Sequence, residues 1–263
     1  MSGPGARPRT GGTPMEAPTT THILAVSGSP RSRGGSTYRI VEPFLEGAAA
    51  AGAETEFVDL AARDIHVCTG ELHCFFRTPG RCIWTDDMGE LMPKVGHADV
   101  LALCSPLYFG GPTAQLKAFV DRLTPMLDPT AGLGGGEGDS SLRPGYRVGK
   151  VVLIASCGDW DVSAFDLLVR WARFVAGALG SQFAGALLRP HAPALLAREA
   201  KGDSHGGVYA AAKEAGRQVV RDGRFRAATL KAVAQELVSF EEYARELGQA
   251  FRRAAEEGGE VEA

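Results

Sequence analysis

The sequence predicts an α/β fold, a doubly wound parallel sheet of five strands with helices on both faces and a helical extension at the carboxyl end. Two observations carry this. Short apolar runs alternate with segments whose apolar residues recur every three or four positions, as strands buried on both faces do when crossover helices separate them. After Arg189 the alternation stops, and about seventy residues carry helical patterns without a clear strand.

Taken in order, His22–Ser27 (HILAVS) is the first strand, and order begins there. Ser36 is placed to cap the following helix, whose apolar positions are Tyr38, Val41, Leu45 and Ala48. Pro43 should kink that helix or shift its start, and Gly52 ends it. Thr55–Leu60 is the second strand. Asp86–His97 is a helix with acidic residues in its first turn. Val100–Ser105 is the third strand, followed by a helix over Thr113–Thr124. Lys150–Ser156 is the fourth strand, Val162–Leu179 an amphipathic helix that packs on the sheet, and Phe183–Leu188 the fifth strand. Val208–Val220 and Thr229–Phe251 are helices, the second with Val233, Leu237, Phe240 and Leu247 on one stripe. Three regions fall outside this pattern: a Gly/Pro/Thr-rich tail over 1–21, a Gly-rich insertion over 128–147, and an acidic tail, EEGGEVEA. The domain reading is a disordered tail over 1–21, a sheet domain over 22–190, and helices over 191–263 packed on that domain.

Composition narrows the function. The chain has 263 residues, with 28 Lys+Arg against 31 Asp+Glu and a formal net charge of −3. That balance provides no drive toward a polyanion and argues against a nucleic-acid binder. No run of about 18 apolar residues is present, so no membrane span is expected. The five cysteines are too few for a disulfide scaffold, and an odd number leaves one unpaired. No signal peptide is visible, and a reducing cytoplasm is the expected setting. Glycine is abundant, at 34 residues, which suits tight turns and close backbone approach to a ligand.

Three loops carry the chemistry, and ladder geometry brings the strand ends they follow together. Ser27–Thr37 (SGSPRSRGGST) joins the first strand to the first helix. It offers a phosphate the hydroxyls of Ser29, Ser36 and Thr37, the guanidinium groups of Arg31 and Arg33, and the positive end of a helix dipole. It matches neither the GK[ST] phosphate loop nor the GxGxxG dinucleotide fingerprint. Ser105–Gly111 (SPLYFGG) follows the third strand. Its glycines allow a flat ligand to come close, and Tyr108 and Phe109 offer aromatic faces. Ser156–Asp161 (SCGDWD) follows the fourth strand. Each loop also reads as an ordinary turn when taken singly.

Together, GSPRSRGGST, CTGELHC…PGRC, DDM (Asp86–Met88), SPLYFGG and AQLKAFVDR resemble the NADPH-dependent FMN reductase and iron–sulfur flavoprotein group of the flavodoxin-like superfamily. The resemblance covers about residues 22–190. It implies a sheet of order 2-1-3-4-5, one FMN, NAD(P)H as co-substrate, and a homodimer or tetramer. It implies that Ser29, Arg31, Ser36 and Thr37 hold the phosphate, that Pro106, Leu107, Tyr108, Phe109 and Gly110 meet the flavin ring, and that Ser156, Cys157 and Gly158 form a third contact.

The cysteines depart from the family pattern. Where iron–sulfur flavoproteins resemble Cys-x2-Cys-x2-Cys followed by a fourth cysteine, this chain reads Cys68, Glu71, Cys74, Cys82. A cubane cluster takes four thiolates, so no cluster and no metal are expected. A zinc site using His66 or His73, or cysteines merely buried in a loop, are the other readings.

The expected function is an FMN-dependent NAD(P)H oxidoreductase. Its acceptor is a small molecule such as a quinone, nitro compound, ferric chelate or free flavin. The flavin supplies the reactivity, so no catalytic side chain is assigned. The alternative is a flavodoxin-like electron carrier that serves a protein partner without using NAD(P)H directly. A flavin-free shell acting as a binding subunit is the third reading.

Overall fold

The computed structural model describes residues 20–131, 142–202 and 207–256. Most of the amino-terminal tail, the centre of the Gly-rich insertion and nearly all of the acidic tail lie outside the described residues. The elements are β1 (His22–Ser27), α1 (Tyr38–Ala50), β2 (Glu54–Asp59), α2 (His73–Phe76), α3 (Met88–Val95), β3 (Val100–Pro106) and α4 (Ala114–Asp121). They continue with β4 (Lys150–Ser156), α5 (Asp166–Ala178), β5 (Gln182–Arg189), α6 (Ala192–Ala200), α7 (Val208–Arg221), α8 (Ala227–Ala234) and α9 (Phe240–Glu256).

The sheet is parallel throughout, in the expected order β2-β1-β3-β4-β5. Its register sets Ser27 beside Cys104, Pro106 beside Ser156, and Ser156 beside Arg189. The loops after β1, β3, β4 and β5 therefore leave one edge side by side. β1 and β4 match the sequence reading residue for residue. Gly185 in β5 has φ of +133°, and the Phe225 ring lies 2.8 Å from where its Cβ would be. A side chain there would collide with the α7–α8 connection.

One face of the sheet packs on Met88, Leu91, Leu116, Phe119, Phe165 and Leu168 from α3, α4 and the α5 region. The other packs on Ile40, Val41 and Phe44 of α1, Ala212, Ala215 and Val219 of α7, and Val233 of α8. The carboxyl-terminal helices thus supply half of one layer. α1 and α7 approach at backbone distance: a Cβ on Gly47 would lie 1.8 Å from the Lys213 carbonyl oxygen, and one on Gly216 1.9 Å from that of Phe44.

Several expectations need correction. Ser36 does not cap α1, because its hydroxyl turns toward β4. α1 runs through Pro43, which leaves the Arg39 carbonyl without its usual donor. α3 begins at Met88 rather than Asp86, because the Asp86 carboxylate accepts the Met88 N–H ahead of the first turn. α4 ends at Asp121 and a 3₁₀ turn follows over Thr124–Met126. Val162–Phe165 is also a 3₁₀ turn. The segment Thr229–Phe251 is two helices. α8 stops at Ala234 because the carbonyls of Val233 and Gln235 accept from the buried Arg189 guanidinium, and Ser239 then opens α9 by accepting the Glu242 N–H. α6 and the short α2 were not foreseen.

Candidate functional site

At the carboxyl edge, the β1 and β3 loops are locked together. The Thr113 hydroxyl donates to the Gly28 carbonyl at 2.7 Å, and Ser105 Oγ accepts the Thr113 N–H at 3.1 Å. A Cβ on Gly28 would sit 2.5 Å from Thr113 Oγ1, so glycine permits this contact. The β1 loop then folds on itself, with Ser29 Oγ 2.7 Å from the place of a Gly35 Cβ. Ser36 Oγ and Thr37 Oγ1 lie 3.0 and 2.8 Å from Ser156 Oγ. Hydroxyls from β1's loop and β4's end thereby converge where α1 begins. The first N–H groups of a helix have no acceptor within it, and an anion satisfies them. Arg31 is exposed beside this cradle. Arg33 turns away, its guanidinium 5.0 Å from the ring centroids of both Tyr38 and Phe57.

After β3, the Leu107 N–H donates to the Ser156 carbonyl at 2.9 Å. Tyr108 and Gly111 then exchange two backbone bonds, at 3.0 and 2.9 Å. Between them Phe109 and Gly110 have φ of +49° and +75°, the conformation of a type I′ turn. That geometry throws Phe109 outward into full exposure, while Gly110 stays half-buried beside Leu167. After β4, burial pushes the Cys157 thiol up to about 11, so it stays neutral.

These loops line one cleft of about 1100 Å³. Ser29, Arg31, Ser36, Thr37, Pro106, Leu107, Tyr108, Ser156, Cys157 and Gly158 all face it, and Phe109 and Gly110 do not. The opposite wall comes from α6 and α9, with Pro193, Ala197, Leu247, Ala250 and Phe251. No signal in the sequence tied those helices to the cleft. Tyr243 of α9 donates its hydroxyl to the Gly158 carbonyl, and its ring lies 5.5 Å from Trp160 and 6.2 Å from His191.

The cysteine loop is a separate region. Cys68 is exposed, Cys74 buried and Cys82 half-buried. Burial pushes the Cys74 thiol up, and Cys82, Glu71 and Cys68 are near enough to add to that. Glu71 accepts from the Thr69 hydroxyl at 2.6 Å, which holds its carboxyl below the ordinary range. Among the described residues no three His, Cys, Asp or Glu groups are arranged to hold a metal ion. His66 stacks on Trp84 at 4.3 Å. Behind the loop, Arg122 clasps Asp86 with bonds of 2.6 and 2.9 Å and donates to the His66 carbonyl at 2.7 Å. The sequence reading quoted both residues within motifs and gave neither a role. A G-x-S-x-G run also occurs, over Gly202–Gly206, but it follows α6, whereas a hydrolase elbow turns from strand to helix.

A family model described as NADPH-dependent FMN reductase matches residues 21–184. An iron–sulfur flavoprotein of Methanocaldococcus jannaschii is 40% identical over 104 residues, 40% of this chain and 52% of that protein. An FMN-dependent NADH:quinone oxidoreductase of Rhizobium etli is 29% identical over 174 residues, 61% of this chain and 81% of that protein. The chain spans about half the length of the iron–sulfur flavoproteins it matches. An NAD(P)H:quinone oxidoreductase structure from Methanothermobacter marburgensis shares the fold, with a TM-score of 0.56 at 19% identity. That likeness covers 76% of this chain and 98% of the other.

Proposed function

Because the chain belongs to the NADPH-dependent FMN reductase family, we propose that it is an NAD(P)H oxidoreductase working through bound FMN and delivering electrons to a small-molecule acceptor. The observation that carries this is the convergence of three strand-end loops on one cleft. The buried Ser29 and Thr37, the half-buried Ser36 and the α1 N-terminus fit a phosphate monoester, with Arg31 as its counter-charge. Gly35 keeps that cradle open. Pro106, Leu107, Tyr108, Ser156, Cys157 and Gly158 provide an apolar and backbone wall for a flat ring. When bound, FMN supplies the capacity to take up a hydride and release electrons singly or in pairs. The chain's part is to fix the phosphate, hold the ring against the β3 and β4 loops, and limit water behind α6 and α9. Cys157 remains a neutral thiol and serves as packing.

The quinone oxidoreductase among the relatives supports a quinone as one acceptor, beside nitro compounds, ferric chelates and free flavin. Dimer or tetramer assembly and a cytoplasmic setting belong to the same proposal. Among the described residues no helix is long and apolar enough to cross a membrane.

The test is the double variant Arg31→Ala/Ser36→Ala. FMN binding should weaken by a few kcal/mol, from about 1.5–3 for a charged hydrogen bond and about 1 for a neutral one. Unchanged affinity would remove the phosphate assignment. The yellow wild-type protein should bleach on adding NADPH or NADH. Bleaching only by a chemical or protein reductant would favour a carrier. One observation speaks for that second reading: the 40% identity to an iron–sulfur flavoprotein. Against it stands Glu71, a hard oxygen where the family places a soft thiolate. About four irons per chain after anaerobic purification would move the carrier ahead.

A further inference from the structure

Arg189 ends β5 with its side chain wholly removed from solvent. One terminal nitrogen donates to the carbonyls of Val233 and Gln235, at 2.9 and 2.7 Å, and the other lies 2.6 Å from His191 Nδ1. Among the described residues its Nε has no partner. Arginine has no acceptor atom, so Nδ1 must accept, and any ring proton of neutral His191 sits on Nε2. Burial and the neighbouring guanidinium hold His191 down to about 4, so it is neutral at pH 7. The other titratable side chains near Arg189 are Cys157, Tyr209 and Tyr243, and burial keeps their thiol and hydroxyl groups protonated and neutral at pH 7. Among the described residues no carboxylate pairs with it. Burying an ion without a counter-ion costs several kcal/mol, and carbonyl dipoles offset only part of that.

This charge stands directly behind the cleft. The Cα of Arg189 is paired with that of Ser156, and its carbonyl accepts the Cys157 N–H at 3.1 Å. Ser156, Cys157 and Gly158 face the cleft, and the Arg189 charge acts on the Cys157 thiol. We propose that Arg189 is a positioning residue acting through its field: a buried, uncompensated positive charge that raises the electron affinity of a flavin held against Ser156–Gly158. This rests on the FMN reading above. A hydride carries two electrons and one proton, so its transfer leaves the ring one unit more negative and the nicotinamide donor one unit more positive. A fixed positive charge nearby, where water cannot screen it, favours the first of these.

The experiment compares the reduction potential of bound FMN in wild type, Arg189→Lys, Arg189→Met and His191→Asp, with stability followed by urea denaturation. His191→Asp places a carboxylate beside the guanidinium at a position with φ of +39°, which Asp tolerates better than most residues. It cancels the charge while keeping the arginine. The potential should fall in Arg189→Met and His191→Asp and stay near wild type in Arg189→Lys. The ratio of reduced to oxidised FMN affinity should drop on the order of tenfold in the first two. A purely structural Arg189 predicts a destabilised Arg189→Met and an unchanged potential in His191→Asp, and that result overturns the proposal. If Arg189→Met does not fold, His191→Asp decides. If His191→Asp itself does not fold, Arg189→Met decides, and a folded Arg189→Met with a wild-type potential overturns the proposal. Wild-type protein that cannot be loaded with FMN removes both the function and this inference. Loaded protein whose potential ignores His191→Asp removes this inference alone.

Discussion

Among the described residues two arginines are shut away from water, and their surroundings are opposite. Arg122, behind the cysteine loop, is 1% exposed and meets a carboxylate through two bonds of 2.6 and 2.9 Å. Arg189, behind the cleft, is 0% exposed and meets only carbonyls and a neutral imidazole. The guanidinium responds accordingly. Burial would lower Arg122, but its bonds to Asp86 leave its pKa raised, whereas burial brings Arg189 down to about 10. A charge neutralised in place fastens two segments and exerts little field beyond them. A charge held by dipoles alone keeps its field, and that field falls on the side of the sheet edge where the cleft opens.

The largest expected effect comes from breaking the neutralised pair. Asp86→Ala leaves Arg122 buried without a counter-ion, and loss of one partner of such a pair costs about 3–5 kcal/mol. Urea denaturation at pH 7 measures this. A loss below about 1 kcal/mol would mean that water or backbone solvates Arg122 as well as Asp86 does, and the contrast between the two sites would collapse.

Acid should separate the two regions by pH window. His191 has its pKa held near 4, below the ordinary 6.5. Below pH 6.5 the unfolded chain takes up a proton that the folded chain refuses. Stability therefore falls as pH drops from about 6.5 to 4, by roughly 3 kcal/mol in all. Burial alone would raise Asp86, but the Arg122 bonds and the N–H groups of His66 and Met88 pull it to about 2. Its contribution is present above its ordinary 3.8 and is lost as pH falls toward 2, by roughly 2 kcal/mol. His191→Asn should flatten the upper window and leave the lower one. A variant that retains the upper slope would assign that slope to other groups.

How far these sites were legible follows from which forces set them. HILAVS and KVVLIAS declare themselves because a strand buried on both faces needs an unbroken apolar run, and the cleft's serine and threonine hydroxyls come from the loop after the first and the last residue of the second. Phe109 does not line the cleft: its aromatic character suits a ring pocket, but its position in a two-residue turn, which decides where it points, depends on two backbone bonds between Tyr108 and Gly111. Asp86 and Arg122 lie 36 residues apart, and nothing local in the sequence pairs them. The break between α8 and α9 was invisible for the same reason, since it is made by Arg189, 44 residues before Val233. Local patterning shows elements and their strand-end loops. The buried charges are long-range facts.

The smallest expected effect tests whether the cleft side is held by neutral contacts throughout. Tyr243 is the residue of α9 that is buried, and it joins that helix to the Gly158 carbonyl and the Trp160 ring. Burial lifts its hydroxyl to about 12, so it acts as a neutral donor. The ion pair between Lys201 and Glu246 also ties α9 down, but at 3.3 Å with both partners in solvent it contributes little. Tyr243→Phe keeps the ring and removes one neutral hydrogen bond, at a cost of about 1 kcal/mol. For a chain of this size that lowers the melting temperature by about 2–4 °C. Gly158 is exposed, so water can replace the lost donor, which keeps the cost near that value. A loss above about 3 kcal/mol would put this single neutral contact on a par with the buried Asp86–Arg122 pair, and the division between a charged anchor and a neutral one would no longer describe the molecule.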